Sequence, residues 1–167
     1  MQIEIRALRM DDAAALAALL NNEAVQDNLR DLPFPYTRAD AEAYISAILA
    51  ADRDTAYVWA ITVDEVVAGC IGVFRKDNIH RLTAEMGYYI AAGCWGKGVM
   101  TDAVGQVCRY VFERTDIVRI FAEPFVRNVA SCQVLEKAGF VYEGTLRKNA
   151  VKHGAFVDTK LYAIIKE

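Results

Sequence analysis

Two groups of residues in this chain have types and spacings suited to chemistry. The first lies in the run Glu85-Met-Gly-Tyr-Tyr-Ile-Ala-Ala-Gly-Cys-Trp-Gly-Lys-Gly-Val-Met-Thr101, where an apolar strand pattern passes through a glycine turn into a helix pattern. A helix start leaves backbone N–H groups unpaired and carries the positive end of the helix dipole, so the turn is an anion site, most naturally for phosphate. Gly96 and Gly98 let a ligand approach the backbone with no Cβ in the way. The second group is Asn128 and Ser131, three apart at the start of the next helix pattern and therefore on one face of it. Alone, Asn128 reads as an N-cap and Ser131 as a surface serine.

The phosphate ligand is narrowed by what the turn lacks. A Walker A loop needs Gly-Lys followed by Ser or Thr, and here Gly98 follows Lys97. The dinucleotide fingerprint needs a third glycine where this chain has Thr101, and an acid about 20 residues further on. Position 121 is Phe, and Glu123 is the nearest acid. No Cys-x-x-Cys or His-Glu-x-x-His spacing exists among Cys70, Cys94, Cys108, Cys132, His80 and His153, so no metal site is expected. Cys70 and Cys108 sit among apolar residues and read as core.

The elements that must position these residues follow from hydrophobic periodicity. Residues 2–9 alternate as a strand. Asp11 is placed to cap a helix to about Asn22, with Leu16, Leu19 and Leu20 on one face. Thr37-Arg-Ala-Asp40 approaches a capping box but ends in Asp, not Glu or Gln, and a helix to about Ala51 follows. Tyr57–Val63 and Val66–Phe74 around Asp64-Glu65 read as a hairpin, and Arg81–Ile90 as a third strand. A helix over roughly Gly98–Arg114 carries Val99, Ala103, Val104, Val107, Cys108, Val111 and Phe112 at helical spacing. Ile117–Ala122 is a short strand, Asn128–Ala138 a helix closed by Gly139, and the rest strand material. The order β-α-α-β-β-β-α-β-α-β-β implies a mixed sheet in one α/β domain over residues 1–167.

Composition narrows the function further. The 167 residues are 54% hydrophobic and 25% charged, which excludes disorder and low complexity. A chain of this length buries roughly 68–70% of its unfolded surface without staples. The apolar runs are far shorter than the ~20 residues of a membrane span. The opening MQIEIRALRMDD reads as neither a signal nor a transit peptide, so the expected compartment is the cytoplasm. A net charge of −3 gives no basic footprint for nucleic acid. The charge is uneven. Between Met10 and Asp54, Asp11, Asp12, Glu23, Asp27, Asp31, Asp40, Glu42, Asp52 and Asp54 face only Arg30, Arg38 and Arg53. These acids read either as solvated helix faces or as an acidic lip for a cationic substrate.

Trp95-Gly-Lys-Gly-Val-Met-Thr101, followed one strand later by Asn128-x-x-Ser131-x-x-x-Leu-Glu-Lys-x-Gly-Phe140, resembles the GNAT superfamily of acetyl-CoA-dependent N-acetyltransferases. The flanking Glu-Met-Gly-Tyr-Tyr-Ile and the later Glu-Gly-Thr-Leu-Arg are similar to its RimJ/RimL branch, which acetylates N-termini of ribosomal proteins. The resemblance spans essentially the whole chain. It departs at Gly93, where the superfamily loop often carries Gln or Arg, so one side-chain donor is missing.

The resemblance implies an acyl-CoA N-acyltransferase fold: a mixed, mostly antiparallel central sheet with splayed central strands and helices on both faces. It implies that the pantetheine arm of acetyl-CoA enters the splay and pairs with the backbone of Tyr88, Tyr89 and Ile90. Trp95, Gly96, Lys97, Gly98, Val99, Met100 and Thr101 would cradle the pyrophosphate, and Asn128 would bond the pantetheine. Glu85 is the candidate base, acting through a water, its carboxyl raised by desolvation in the apolar strand. Ser131 is the candidate acid for the leaving thiolate. A backbone N–H near Tyr88 or Tyr89 would stabilise the oxyanion. Phe34, Pro35 and Tyr36 would line the acceptor side. Cys94 has no His or Asp partner in the motif and is not expected to act as a nucleophile. The acceptor is an amine, a protein N-terminus first and small amines behind, and a homodimer is implied by resemblance alone. A non-catalytic acetyl-CoA sensor and a regulatory domain for ATP or NAD are the competing readings.

Overall fold

Tight turns set the frame. Asp64 and Glu65, both at positive φ (49° and 68°), join β2 (Ala56–Val63) to β3 (Val66–Arg75) as a two-residue hairpin turn. His153 and Gly154 (φ 51° and 75°) do the same between β6 (Val141–Lys152) and β7 (Ala155–Ile165). The computed structural model describes residues 1–167. With β1 (Ile3–Ala7), β4 (Thr83–Ile90) and β5 (Arg119–Ala122), these strands form one seven-stranded sheet in the order β1-β2-β3-β4-β5-β7-β6. Only β4 and β5 run parallel, so the sheet is mixed and mostly antiparallel.

Helices cover both faces. On one face, α4 (Val99–Arg114) and α5 (Val129–Lys137) press Val104, Val107, Val111 and Leu135 onto Ile71, Val73, Ala84, Met86 and Ile120. On the other, α1 (Ala13–Leu20) and α3 (Arg38–Ala50) pack Leu16, Leu20 and Ile45 against Ala60 and Cys70. The alternation of β4 divides accordingly: Ala84, Met86 and Ile90 enter the first cluster, while Tyr89 packs against the second.

Several local expectations change. Asp11 caps nothing: Met10–Asp12 is a single 3₁₀ turn, α1 starts at Ala13, and Asp12 turns inward to Arg6. A short helix, α2 (Glu23–Gln26), capped by the Asn22 side chain, was not apparent from periodicity. Asp40 does complete the capping box. Its carboxylate accepts the Thr37 N–H at 2.8 Å, and its own N–H donates to Thr37 Oγ1 at 3.1 Å. The strand before the last hairpin is continuous, absorbing irregularities near Gly144 and Lys148 instead of breaking.

Candidate active site

The site begins where two strands part. β4 stays with β3 along its whole length, from Arg75 opposite Ala84 to Gly69 opposite Ile90. β5 pairs with β4 only from Thr83–Arg119 to Glu85–Phe121. Beyond Ala122 the chain follows β7: Lys160 N–H donates to Pro124 C=O at 2.9 Å, Val126 N–H to Asp158 C=O at 3.0 Å, and Phe125 bridges Thr159. One strand is held by its left neighbour and the other by its right, so a gap opens between them.

The register decides which backbone groups face this gap. At one end of β4, Lys76 N–H donates to Thr83 C=O at 2.8 Å; at the other, Ala91 N–H donates to Ala68 C=O at 2.7 Å. With no shift between these ends, antiparallel alternation bonds the odd-numbered residues to β3 and turns the even-numbered ones away. The N–H and C=O of Tyr88 and the N–H of Ile90 therefore point into the gap. The Ile90 carbonyl is taken by the Trp95 indole N–H at 3.2 Å. Tyr89 bonds Cys70 on β3, so its backbone serves neither an added strand nor an oxyanion.

At the mouth of the gap, Gly96 and Gly98 adopt φ of 73° and 78°, the left-handed region that favours glycine, and Gly98 is the N-cap of α4. The first amide of this stretch to find a backbone acceptor is Asp102, which donates to Gly98 C=O at 3.1 Å. From Gly96 to Thr101, no backbone N–H has an acceptor within the protein. A Cβ built on either glycine would meet nothing within 4 Å, so positive φ and not lack of room is what favours glycine at both positions. Unpaired donors at a helix N-terminus suit a polyanion such as a pyrophosphate. The side chain of Trp95 is spent on pinning the end of β4.

The α5 start closes the other wall. Asn128 is its N-cap, with Oδ1 accepting the Ser131 N–H at 3.3 Å. That contact fixes the amide so that its NH₂, with no protein partner, is left as a donor. Ser131 Oγ lies 2.7 Å from the Tyr88 hydroxyl, so it is not a free surface serine. Burial pushes the Tyr88 phenol up to about 12, against the pull of its bond to Ser131.

Glu85 differs from expectation. It does lie at the last β4–β5 pair, where the gap begins. Its side chain, however, is 42% exposed, and Lys76 Nζ stands 3.4 Å from Oε2 while lying over the Phe121 ring. The desolvated apolar setting is absent, and a cation sits beside the carboxylate instead. Lys76 was missed because nothing in the sequence ties it to Glu85 across the β3–β4 connection.

On the acceptor side, Phe34 is exposed and Pro35 follows it at the surface. Tyr36 departs from that setting: it is only 7% exposed and packs in the α1–α3 cluster, its backbone tied to the Asn21 side chain. Part of the acidic segment is engaged within the fold. Asp12 pairs with Arg6, Asp27 with His153, Asp31 with Lys152 and Glu42 with Arg38, while Asp40 caps α3. Asp11, Glu23, Asp52 and Asp54 enter no ion pair, so the segment keeps a net negative charge. The Asp27–His153 and Asp31–Lys152 pairs tie the segment after α2 to the β6–β7 turn, and Arg127, just before α5, donates to the Asp27 carbonyl at 2.7 Å. The sequence carried no signal for this link.

No group of His, Cys, Asp and Glu side chains is arranged to hold a metal ion. No helix is long and apolar enough to cross a membrane.

Comparison with known proteins agrees with the geometry. A family model described as an acetyltransferase (GNAT) domain matches residues 2–141. The probable N-acetyltransferase YjcK of Bacillus subtilis is 36% identical over 116 residues, covering 68% of this chain and 64% of its own length. The chain thus spans less than two thirds of that relative. The putative ribosomal N-acetyltransferase YdaF of the same organism is 31% identical over 172 residues, covering 98% of this chain and 91% of its own. Among solved structures, a ribosomal-protein alpha-N acetyltransferase, RimL, in complex with coenzyme A superposes with a TM-score of 0.90. It covers 99% of this chain and 95% of its own at 24% identity, a likeness of fold.

Proposed function

The chain belongs to the GNAT family of acetyltransferases, and from that premise we propose that it moves an acetyl group from acetyl-CoA directly to a primary amine, by preference a protein N-terminal α-amine. One observation carries the reading above the others: a ladder of unpaired amides from Gly96 to Thr101 stands at the mouth of a gap into which Tyr88 and Ile90 turn free backbone groups. A pyrophosphate and the strand-like arm attached to it use both features at once. Residues 1–167 act as one catalytic domain, working in the cytoplasm.

The roles follow from placement. The amides of Gly96–Thr101 hold the pyrophosphate, with Lys97 supplying charge. Asn128 Nδ2 donates to the pantetheine. The Tyr88 N–H faces the thioester carbonyl and stabilises the oxyanion as the amine attacks. Ser131 donates to the departing thiolate. Glu85, at the point where the strands part, takes the proton of the attacking amine through a water. Its partner Lys76 stands beside the carboxylate, with Nζ 3.4 Å from Oε2.

The acceptor is argued from energetics. At pH 7, neutralising an α-amine costs about 1 kcal/mol and a lysine amine about 4–5 kcal/mol. A positioned base is worth ~10²–10⁴ in rate, so either amine is within reach. The relative named as a putative ribosomal N-acetyltransferase supports the α-amine. Calorimetry with acetyl-CoA against ATP tests the donor. Preference for acetyl-CoA is the expected result, and preferential binding of ATP overturns the reading.

A further inference from the structure

Tyr88 leaves β4 on the side of α5, and its hydroxyl meets Ser131 Oγ at 2.7 Å. The two residues are 43 positions apart and stand on opposite walls of the gap. We infer that Tyr88 is a positioning residue for the acetyl transfer: its phenol donates to Ser131 Oγ and so aims the serine hydrogen at the sulfur of the departing CoA. The inference rests on the reading of the gap as the acetyl-CoA site.

The direction of the hydrogen bond is decided by its neighbours. Two hydroxyls share two hydrogens, and only one lies between the oxygens. If Ser131 donates to Tyr88, its single hydrogen is used up and no donor remains for the thiolate. If Tyr88 donates, the serine hydrogen is free. A phenol is the stronger donor and, with its lone pair drawn into the ring, the weaker acceptor. The Ser131 carbonyl oxygen also offers itself to the phenol hydrogen, but at 3.5 Å against 2.7 Å for Oγ, so the hydrogen goes to the nearer Oγ. Burial keeps the phenol protonated across the working pH range, so it remains a donor throughout turnover. Asn128 holds the Ser131 N–H, which fixes the backbone from which the hydroxyl swings. No proton leaves Tyr88 in this role, and its bond polarises and orients the serine.

The test uses the whole protein saturated with CoA, with no acceptor. Thiolate absorbance of bound CoA is followed against pH, subtracting the free protein because Cys132 lies beside Ser131. A donor aimed at sulfur stabilises the thiolate and lowers the pKa of the bound thiol. Ser131→Ala should raise that pKa by about one to two pH units. Tyr88→Phe, which keeps the ring, should raise it by a smaller but resolved amount, and the double variant no further than Ser131→Ala alone. With acetyl-CoA and a peptide bearing a free N-terminus, Tyr88→Phe should lower kcat about tenfold with little change in the KM for acetyl-CoA. An unchanged thiol pKa in Tyr88→Phe, or effects that add in the double variant, overturns the inference while leaving the cofactor site standing. A Tyr88→Phe protein that melts far below Ser131→Ala assigns the phenol to packing and overturns it too. Failure of the wild-type protein to bind CoA removes the cofactor site, and the inference with it.

Discussion

Gly98→Val separates a phosphate cradle from an ordinary helix start. Gly98 holds φ of 78°, where a side chain costs about 1–2 kcal/mol and a β-branched one more. For a chain of this length each kcal/mol lowers Tm by roughly 2–4 °C, so the variant should melt about 4–8 °C lower yet still cooperatively. The new methyl groups meet no protein atom, because a Cβ at this position has nothing within 4 Å. If the phosphates sit on the first-turn amides as proposed, the methyl groups enter the space that the ligand needs. Blocking two hydrogen bonds to a charged phosphate, at about 1.5–3 kcal/mol each, removes ~3–6 kcal/mol of binding. Calorimetry should then show acetyl-CoA affinity falling by ~10²–10⁴-fold. A folded Gly98→Val protein whose Kd stays within about threefold of wild type would refute the placement of the phosphates.

Three further outcomes follow from the structure. Glu85→Gln should lower kcat by ~10²-fold or more while leaving acetyl-CoA affinity unchanged, and equal activity across pH would remove Glu85 from the chemistry. Gly105, mid-α4 with open space around it, should accept alanine with a gain of about 0.5–1 kcal/mol in thermal unfolding and no change in cofactor binding. Burial raises the Asp12 carboxyl, but the Arg6 guanidinium and the Arg9 N–H overcome it and hold it below the usual 3.8. A lowered folded-state pKa gives stability that is full above about pH 4 and lost as pH falls through the folded value. Asp12→Asn should therefore cost ~2–4 kcal/mol in urea unfolding at pH 7, with a gap to wild type that narrows below pH 4.

The parts of this site that local pattern determines were legible in the sequence. Gly96 and Gly98 before a helix, Asn128 as its neighbour's cap, and the Asp64-Glu65 hairpin each depend on a few adjacent residues. The splay was visible only through family resemblance, because it arises from which neighbour each strand follows, and the bond from Lys160 to Pro124 is set by the sheet order. Backbone parity was equally hidden. Tyr88 and Tyr89 are adjacent and alike in type, yet the register gives the gap to one and β3 to the other. Periodicity also misjudged Glu85, since an apolar strand does not reveal that Lys76 reaches its carboxylate from the end of β3. A count of the nine acids between Met10 and Asp54 did not reveal that two of them, Asp27 and Asp31, meet His153 and Lys152 of the far hairpin. Asp40 closing its capping box shows the reverse: the shorter carboxylate reaches as well as the expected Glu or Gln.

The most direct test of the account is transfer itself. The protein is incubated with acetyl-CoA and matched peptides whose N-termini are free or blocked, with spermidine and an amino sugar alongside. Thiol release is read together with peptide mass. The account predicts thiol release with the free-N-terminus peptide, and an acetyl group located on its α-amine. Absence of transfer to every amine, despite acetyl-CoA bound at the Gly96–Thr101 amides, would contradict it.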